Sequence, residues 1–392
     1  MGSIRPIFAG MKWNRILGHN RVKRLLSTAL RTGRLPQALL LTGPEGVGKN
    51  GLALALASAV FCESPSDDDT LVDSCGTCRS CLQMAHLAHP NLRIIHALPA
   101  GKGDTDDEMK AELIDDIRSM LEATSENPYS PLRPDGATQI RIGQIREIKR
   151  SLSMSAMQAG RRLVLLSEAH EMTIEASNAF LKTLEEPHPD TILVLTSSKP
   201  ERLLQTIVSR CQELQVAPLD DADIHHYLIS ELACTSEDAA LVAPFAQGSI
   251  SKAQAFLAED MRGYRQDIVD LLRTTAKPRD FRADLVARIH DIADGRNKTR
   301  MEYMLSLLLL WLRDAHALAL VGPEAHIVNS DQREALSRFA AAFADADFGG
   351  MYRAIERASN ALSRNVTPVL VLLPLLLGIR RALFASRSKA AA

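Results

Sequence analysis

The chain runs to 392 residues, too long for one compact core, and its length suggests two or three domains. Charged residues make up 24% and hydrophobic residues 46%, and the formal net charge is −1. Nothing global therefore drives the chain toward nucleic acid or a membrane surface, and any such contact must come from a local patch.

The first residues, Met1 to Trp13, hold neither the apolar core nor the cleavage site of a leader. Pro6 stands where a myristoylation signal wants Ser or Thr. The chain is expected to stay in the cytoplasm, with its six cysteines reduced or metal-bound. Ala38–Thr42 is an apolar run that predicts a strand buried on both faces, and Asn50 to Phe61 predicts a helix. Between them lies GPEGVGKN, residues 43–50. Gly43, Gly46 and Gly48 let backbone N–H groups approach phosphate oxygens, and Lys49 reaches the outer phosphates. The pattern ends on Asn50, where a Ser or Thr hydroxyl would bind Mg²⁺.

Cys62, Cys75, Cys78 and Cys81 follow with the spacing C-x12-C-x2-C-x2-C. Four thiolates so close can wrap one tetrahedral Zn²⁺, and a full protein ligand set makes the site structural. Buried or redox cysteines and an iron–sulfur cluster are the rivals. A zinc-dependent nucleic-acid module is rejected, because residues 62–90 set Arg79 alone against Glu63, Asp67, Asp68, Asp69 and Asp73. Of the two remaining cysteines, Cys211 and Cys234, the latter reads as core. Leu92–His96 is a second strand. Residues 101–136 open acidic and end Pro-rich, ENPYSPLRPDG. They read as a solvated insertion with one exposed helix, or as a docking element for a partner.

Arg162–Ser167 and Ile192–Ser197 complete the strand set, with a helix over Asn178–Leu184 stopped at Glu185-Glu186-Pro187. The first of these strands ends in Ser167-Glu168-Ala169-His170. A P-loop ATPase wants Asp-Glu here, so Glu168 stands for the water-orienting acid and Ser167 replaces the metal-supporting one. Two losses together predict that Mg²⁺-dependent hydrolysis is absent. Ser209-Arg210-Cys211 comes next, and by charge alone Arg210 is a surface salt-bridge partner. After Pro218 the pattern is helical, with Asp220 or Asp221 as the first N-cap. Leu305–Leu312, Arg333–Phe343 and Met351–Leu362 are amphipathic. Val366 to Ile379 is 14 residues with two prolines, too short to span a bilayer and expected to be a buried helical segment.

Arg34-Leu35-Pro36-Gln37-Ala38, GPEGVGK, the four-cysteine insertion, SEAH, Leu184-Glu185-Glu186-Pro187 and SRC together resemble the AAA+ subunits of bacterial DNA polymerase III clamp loaders. The likeness covers about residues 12–260. Gamma/tau members of that family carry full ATPase motifs. The delta-prime branch keeps the zinc knuckle and the SRC arginine while its nucleotide motifs degrade, and in Asn50 and Ser167 this chain resembles that branch. A lid arginine that senses the γ-phosphate in active relatives is replaced by Ser251 within Gly248-Ser249-Ile250-Ser251-Lys252-Ala253, and Lys252 is offset by about 100°.

The resemblance implies an AAA+ P-loop α/β domain with a parallel sheet over residues 1–217, carrying a zinc knuckle at 62–81. A helical lid at 218–277 and a helical collar at 278–392 would follow. It implies a five-subunit ring with gamma/tau and delta subunits, acting on a sliding clamp and on primed DNA through the complex, with no membrane partner. It assigns Arg210 to a neighbouring subunit's ATP as a trans-acting finger, and a structural zinc to the four cysteines. Nucleotide binding by Gly43, Gly46, Gly48 and Lys49 is doubtful on this reading. The alternative is an active ATPase of the gamma/tau type with an unusual P-loop.

Overall fold

The four apolar runs become parallel strands because each carries branched aliphatic side chains on both faces, which only a doubly covered sheet can bury. In the computed structural model, residues 10–68, 70–99, 111–153, 160–258, 261–293, 298–364 and 366–385 are described. The N-terminal residues before Gly10, Asp69 in the knuckle and positions 101–110 of the insertion lie outside them. The described chain divides into two compact units, residues 1–255 and 256–392.

The first unit runs in chain order through α1 (Asn20–Arg31), β1 (Ala38–Thr42), α2 (Lys49–Phe61), β2 (Ser66–Asp67), β3 (Val72–Asp73), α3 (Arg79–Ala85), β4 (Leu92–Ile95) and β5 (Leu98–Pro99). It continues with α4 (Ala111–Glu126), β6 (Ala137–Gln139), α5 (Ile142–Ser153), β7 (Arg162–Leu166), α6 (Ile174–Glu185), β8 (Thr191–Ser197), α7 (Gln205–Val208) and β9 (Gln212–Gln215). Helices α8 (Asp221–Leu232), α9 (Ser236–Ala246) and α10 (Ile250–Ala258) follow. The main sheet has the order β4-β7-β8-β1-β9, all parallel. Alternate residues feed two cores. Leu39, Leu41, Leu163, Leu165 and Val194 pack with α1 and α2, while Leu40, Val164, Leu166, Leu193 and Leu195 pack with α5 and α6.

From β1 the chain passes through α2 to β4 at the far edge, and the later strands β8 and β9 pair on either side of β1. The C-terminal end of β1 is thus a point where the winding reverses, the place where open α/β sheets bind ligands. The phosphate loop sits there. Short antiparallel pairs join β2 to β3 in the knuckle and β5 to β6 across the two ends of the insertion.

Two expectations are corrected. Cys234 is half-buried just after α8 rather than in the core, its sulfur donating to the Thr235 carbonyl. The insertion does hold a helix, α4, but its Pro-rich end is not a solvated loop: Tyr129 and Leu132 are each only 3% exposed. Asp220 does occupy the N-cap position of α8, although its side chain makes no capping bond.

The second unit is helical: α11 (Met261–Ala276), α12 (Phe281–Ala293), α13 (Lys298–Val321), α14 (Arg333–Ala342), α15 (Phe348–Ser363) and α16 (Pro368–Leu383). Close packing of α15 on α16 is set by Gly378, where an added Cβ would come 3.2 Å from the Cβ of Ala354. Helix α16 buries Val371, Leu372, Leu375, Leu376 and Ile379, the face expected of the apolar stretch. Among the described residues one helix, Arg300–Val321, has the length and composition to cross a membrane. It packs as a core helix. Asp314, 1% exposed near its middle, accepts the backbone N–H groups of Val328 and Asn329 at 3.0 and 2.8 Å and the Asn329 amide at 2.7 Å. A carboxylate bonded in this way marks a protein-facing side.

Candidate functional site

Three glycines shape the loop between β1 and α2, and all three have positive φ: +151° at Gly43, +75° at Gly46 and +105° at Gly48. Gly46 also lies against the start of α10. Its carbonyl accepts the Ile250 N–H at 3.0 Å, and a Cβ there would meet Ser249 Oγ at 2.2 Å. Gly46→Ala is therefore expected to lower the urea stability of the first unit by about 2–5 kcal/mol, from strained φ plus overpacking. An unshifted urea midpoint would show that this contact does not hold the loop and α10 together.

Lys49 opens α2, and its ammonium points back into the loop. It donates to the carbonyls of Gly43 and Pro44 at 2.9 and 2.8 Å and pairs with Glu168 at 3.2 Å. The pair is largely enclosed. Burial lowers the Lys49 pKa in spite of the carboxylate beside it. Burial alone would raise the Glu168 carboxyl, yet Lys49, the hydrogen bonds from Ser198 and nearby His170 hold it below its ordinary value. The Ser198 N–H reaches Glu168 at 2.6 Å, and His170 Nδ1 lies 3.3 Å away. The acid that would orient water is already neutralised by the lysine that would hold phosphate.

Beside this pair lies the corner where a metal ion would bind in an active P-loop protein. The Asn50 amide nitrogen donates to Ser167 Oγ at 3.0 Å, and its oxygen accepts from Thr196 Oγ1 at 2.9 Å. Thr196 in turn accepts the Glu168 N–H at 3.0 Å. Both substituted positions are thus bonded directly to each other, and Thr196 extends the pair into a neutral network. Such a network has no spare carboxylate for a divalent cation, whose preferred ligands are charged oxygens. Thr196 was missed in the sequence, although a hydroxyl inside the apolar run Ile192–Ser197 was a visible signal.

Ser251, in the place of the sensor arginine, donates its hydroxyl to the Tyr129 carbonyl at 2.5 Å. Lys252 turns away toward Gln247, 3.5 Å from its Oε1. The remaining cavity over the loop, about 100 Å³, is lined by Gly46, Gly48, Lys49, Asn50, Tyr129 and Ser251 among others. Ligand pockets run to roughly 300–1,000 Å³, so this one is small for a nucleotide.

The four predicted cysteines converge. Their sulfurs all lie within 4.8 Å of one another, with Cys62–Cys78 at 4.0 Å and Cys75–Cys81 at 3.8 Å. A tetrahedron with Zn–S of about 2.3 Å has edges of about 3.8 Å. Backbone N–H groups already point at the sulfurs: Cys75 N–H at Cys62, Thr77 and Cys78 N–H at Cys75, and Cys81 N–H at Cys78. The bonds from Thr77 and Cys78 lower the Cys75 thiol to about 5, so it is a ready thiolate at neutral pH. Gly76, at φ +83°, makes the turn between Cys75 and Cys78. The residues fit a metal ion, which would draw the end of α2, the hairpin and α3 together.

Arg210 follows α7 and does not line its own P-loop cavity. Its guanidinium donates to Glu185 Oε1 at 2.8 Å and to the Thr206 carbonyl at 3.0 Å, with the side chain 37% exposed. Two sequence signals, Leu-Glu-Glu-Pro and Ser-Arg-Cys, thus meet in space, the first holding the arginine of the second.

Comparison with known proteins adds to this geometry. The model of a family described as "DNA polymerase III, delta subunit" matches residues 18–220, over half of the chain. The chain is 26% identical over 346 residues to the DNA polymerase III subunit delta' of Bacillus subtilis, covering 88% of this chain and 91% of that one. It is 28% identical over 298 residues to the subunit of the same name from Escherichia coli, covering 76% and 75%. Similarity to the DNA polymerase III subunit tau of Bacillus subtilis, 26% over 206 residues, covers 53% of this chain and 29% of that one.

Proposed function

The chain belongs to the DNA polymerase III, delta subunit family, and we propose on that footing that it serves the clamp loader as a delta-prime-type subunit without ATP turnover of its own. The observation that carries this is the Asn50 amide held between Ser167 and Thr196, where metal chemistry would need charged oxygen ligands. Similarity to a delta-prime relative over 88% of this chain and 91% of that one, against 53% and 29% for a tau subunit, favours this reading over an active gamma/tau-type ATPase.

In the proposed assembly the subunit joins gamma/tau and delta subunits in a five-membered ring that loads a sliding clamp onto primed DNA in the cytoplasm. Residues 1–217 form the AAA+ P-loop domain, 218–277 a lid and 278–392 the collar that holds the ring. Zinc is the metal we assign to Cys62, Cys75, Cys78 and Cys81. Arg210 is the chemical contribution: its fixed guanidinium faces ATP bound by a gamma/tau neighbour and offsets charge that develops on the transferred phosphoryl group. The ion pair with Glu185 supports a positioned, rather than freely rotating, fork.

The test is ATP hydrolysis with Mg²⁺ by the isolated chain, then with a gamma/tau partner. Alone, the chain is expected to show no turnover above background, and Lys49→Ala is expected to change nothing. Turnover by the isolated chain that Lys49→Ala abolishes would establish the active-ATPase alternative instead.

A further inference from the structure

Lost metal ligands do not by themselves keep a nucleotide out, since loop N–H groups and a lysine can hold phosphates without metal. Something else fills this pocket. Pro128 to Arg133, in the Pro-rich end of the insertion, lines the pocket over the phosphate loop, and Tyr129 is its anchor.

The Tyr129 ring stands against Gly48, where an added Cβ would come 3.0 Å from a ring carbon and 3.3 Å from Ile16 Cγ2. The Tyr227 ring meets it edge-on, with centroids 5.6 Å apart. The hydroxyl accepts the Leu17 backbone N–H at 2.6 Å. Two further bonds fasten the backbone, the Ser251 hydroxyl on the Tyr129 carbonyl and the Tyr129 N–H on Asn127 Oδ1 at 3.0 Å. Asn127 is tied in turn to Gln254 at 2.9 Å.

A flat ring packed between apolar groups beside a phosphate loop, its polar tip on a backbone amide, is the environment a nucleobase requires. We infer that the slot formed by Ile16, the Leu17 N–H, Gly48 and Tyr227 is a nucleobase site, and that Tyr129 occupies it as a built-in substitute for a purine nucleotide. The strap then competes with nucleotide for one place, and apparent affinity is set by how seldom the strap is open. The inference shares its pocket with the proposed function, but it concerns binding, whereas that proposal concerns turnover.

The experiment uses the full chain and a fluorescent N-methylanthraniloyl ATP in EDTA. The wild-type chain is expected to show no saturable binding. Tyr129→Ala is expected to bind saturably, at least about tenfold more tightly than the weakest affinity the assay resolves, and adding Lys49→Ala to it should remove the gain. Should Tyr129→Ala fail to fold, a chain with glycine at all of positions 128–131 carries the same test. Micromolar binding by the wild-type chain overturns the inference whatever the variants do. So does a folded strap variant that binds no better than wild type, or a gain that survives loss of Lys49. Hydrolysis with Mg²⁺ remains a separate readout, so either proposal can fail without the other.

Discussion

Arg210→Ala, reconstituted with gamma/tau and delta subunits, is expected to assemble normally while ATP turnover at the site it faces falls by about 10³–10⁵-fold. The steady-state rate of the complex should fall by at least the share that this site carries, and further if the sites fire in concert. Assembly should survive because, among the described residues, the guanidinium bonds to Glu185 and to the Thr206 carbonyl, both local, on an exposed surface. Surface pairs of this kind contribute at most about 1 kcal/mol to folding. Arg210→Lys should not restore the rate, because an ammonium lacks the planar fork that Glu185 orients. Gel filtration reads assembly and a phosphate-release assay reads turnover. An intact complex with unchanged turnover would refute the finger assignment.

Cys78→Ser is expected to abolish stoichiometric zinc and to lower the melting temperature of the first unit by about 5–15 °C. Cys78 is both a candidate ligand and the N-cap of α3, its sulfur accepting the Cys81 N–H. Serine caps helices well, so the substitution keeps the cap and removes only the metal ligand. Structural zinc binds apparent folding free energies of roughly 10–16 kcal/mol in small domains, of which a larger fold loses a part. Each kcal/mol is worth about 2–4 °C in a domain of this size. The loss should spread to the N-terminal segment, because the Trp13 indole N–H donates to the Val72 carbonyl at 2.8 Å and Lys12 reaches the Cys75 carbonyl at 3.2 Å. Elemental analysis and a thermal melt are the two measurements. Wild-type melting in a metal-free Cys78→Ser chain would mean that the knuckle folds without its ion.

The central strands were readable because continuous aliphatic runs such as Leu163–Leu166 suit only a sheet covered on both faces. β9 was not. Its sequence, Gln-Glu-Leu-Gln, is polar because it lies at the sheet edge, mostly exposed, and edge strands commonly carry charge. The cysteine cluster was readable because its ligands are close in the chain and thiolates have a narrow range of uses. Cys234 was misplaced because burial of a lone small residue is decided by packing no local pattern records.

The nucleotide pocket was half readable. Asn50, Ser167 and Ser251 stood out as departures from a motif, yet nothing in their spacing says that the first two bond to each other or that the third bonds to Tyr129. Tyr129 itself is separated from Gly48 by the whole of the knuckle and most of the insertion. An aromatic residue flanked by prolines in a polar stretch was the only hint. Contacts of that range are a property of the folded chain, and only coordinates supply them.

The hydrogen bonds around Asn50 also bear on how such a site can change over time. Changing Asn50 to threonine would put one short hydroxyl where a longer amide now accepts from Thr196 and donates to Ser167, and would supply no carboxylate for a cation. Changing Ser167 to aspartate alone would instead set a new buried charge beside an amide and a carboxylate already paired with Lys49. Neither single step supplies both a hydroxyl and a carboxylate for a cation, and because the two residues are in contact their effects do not add independently. Building a metal-binding corner here would therefore need at least two coordinated changes. Each contact in this network holds its neighbours in place, so opening the pocket to a cation takes more than one substitution.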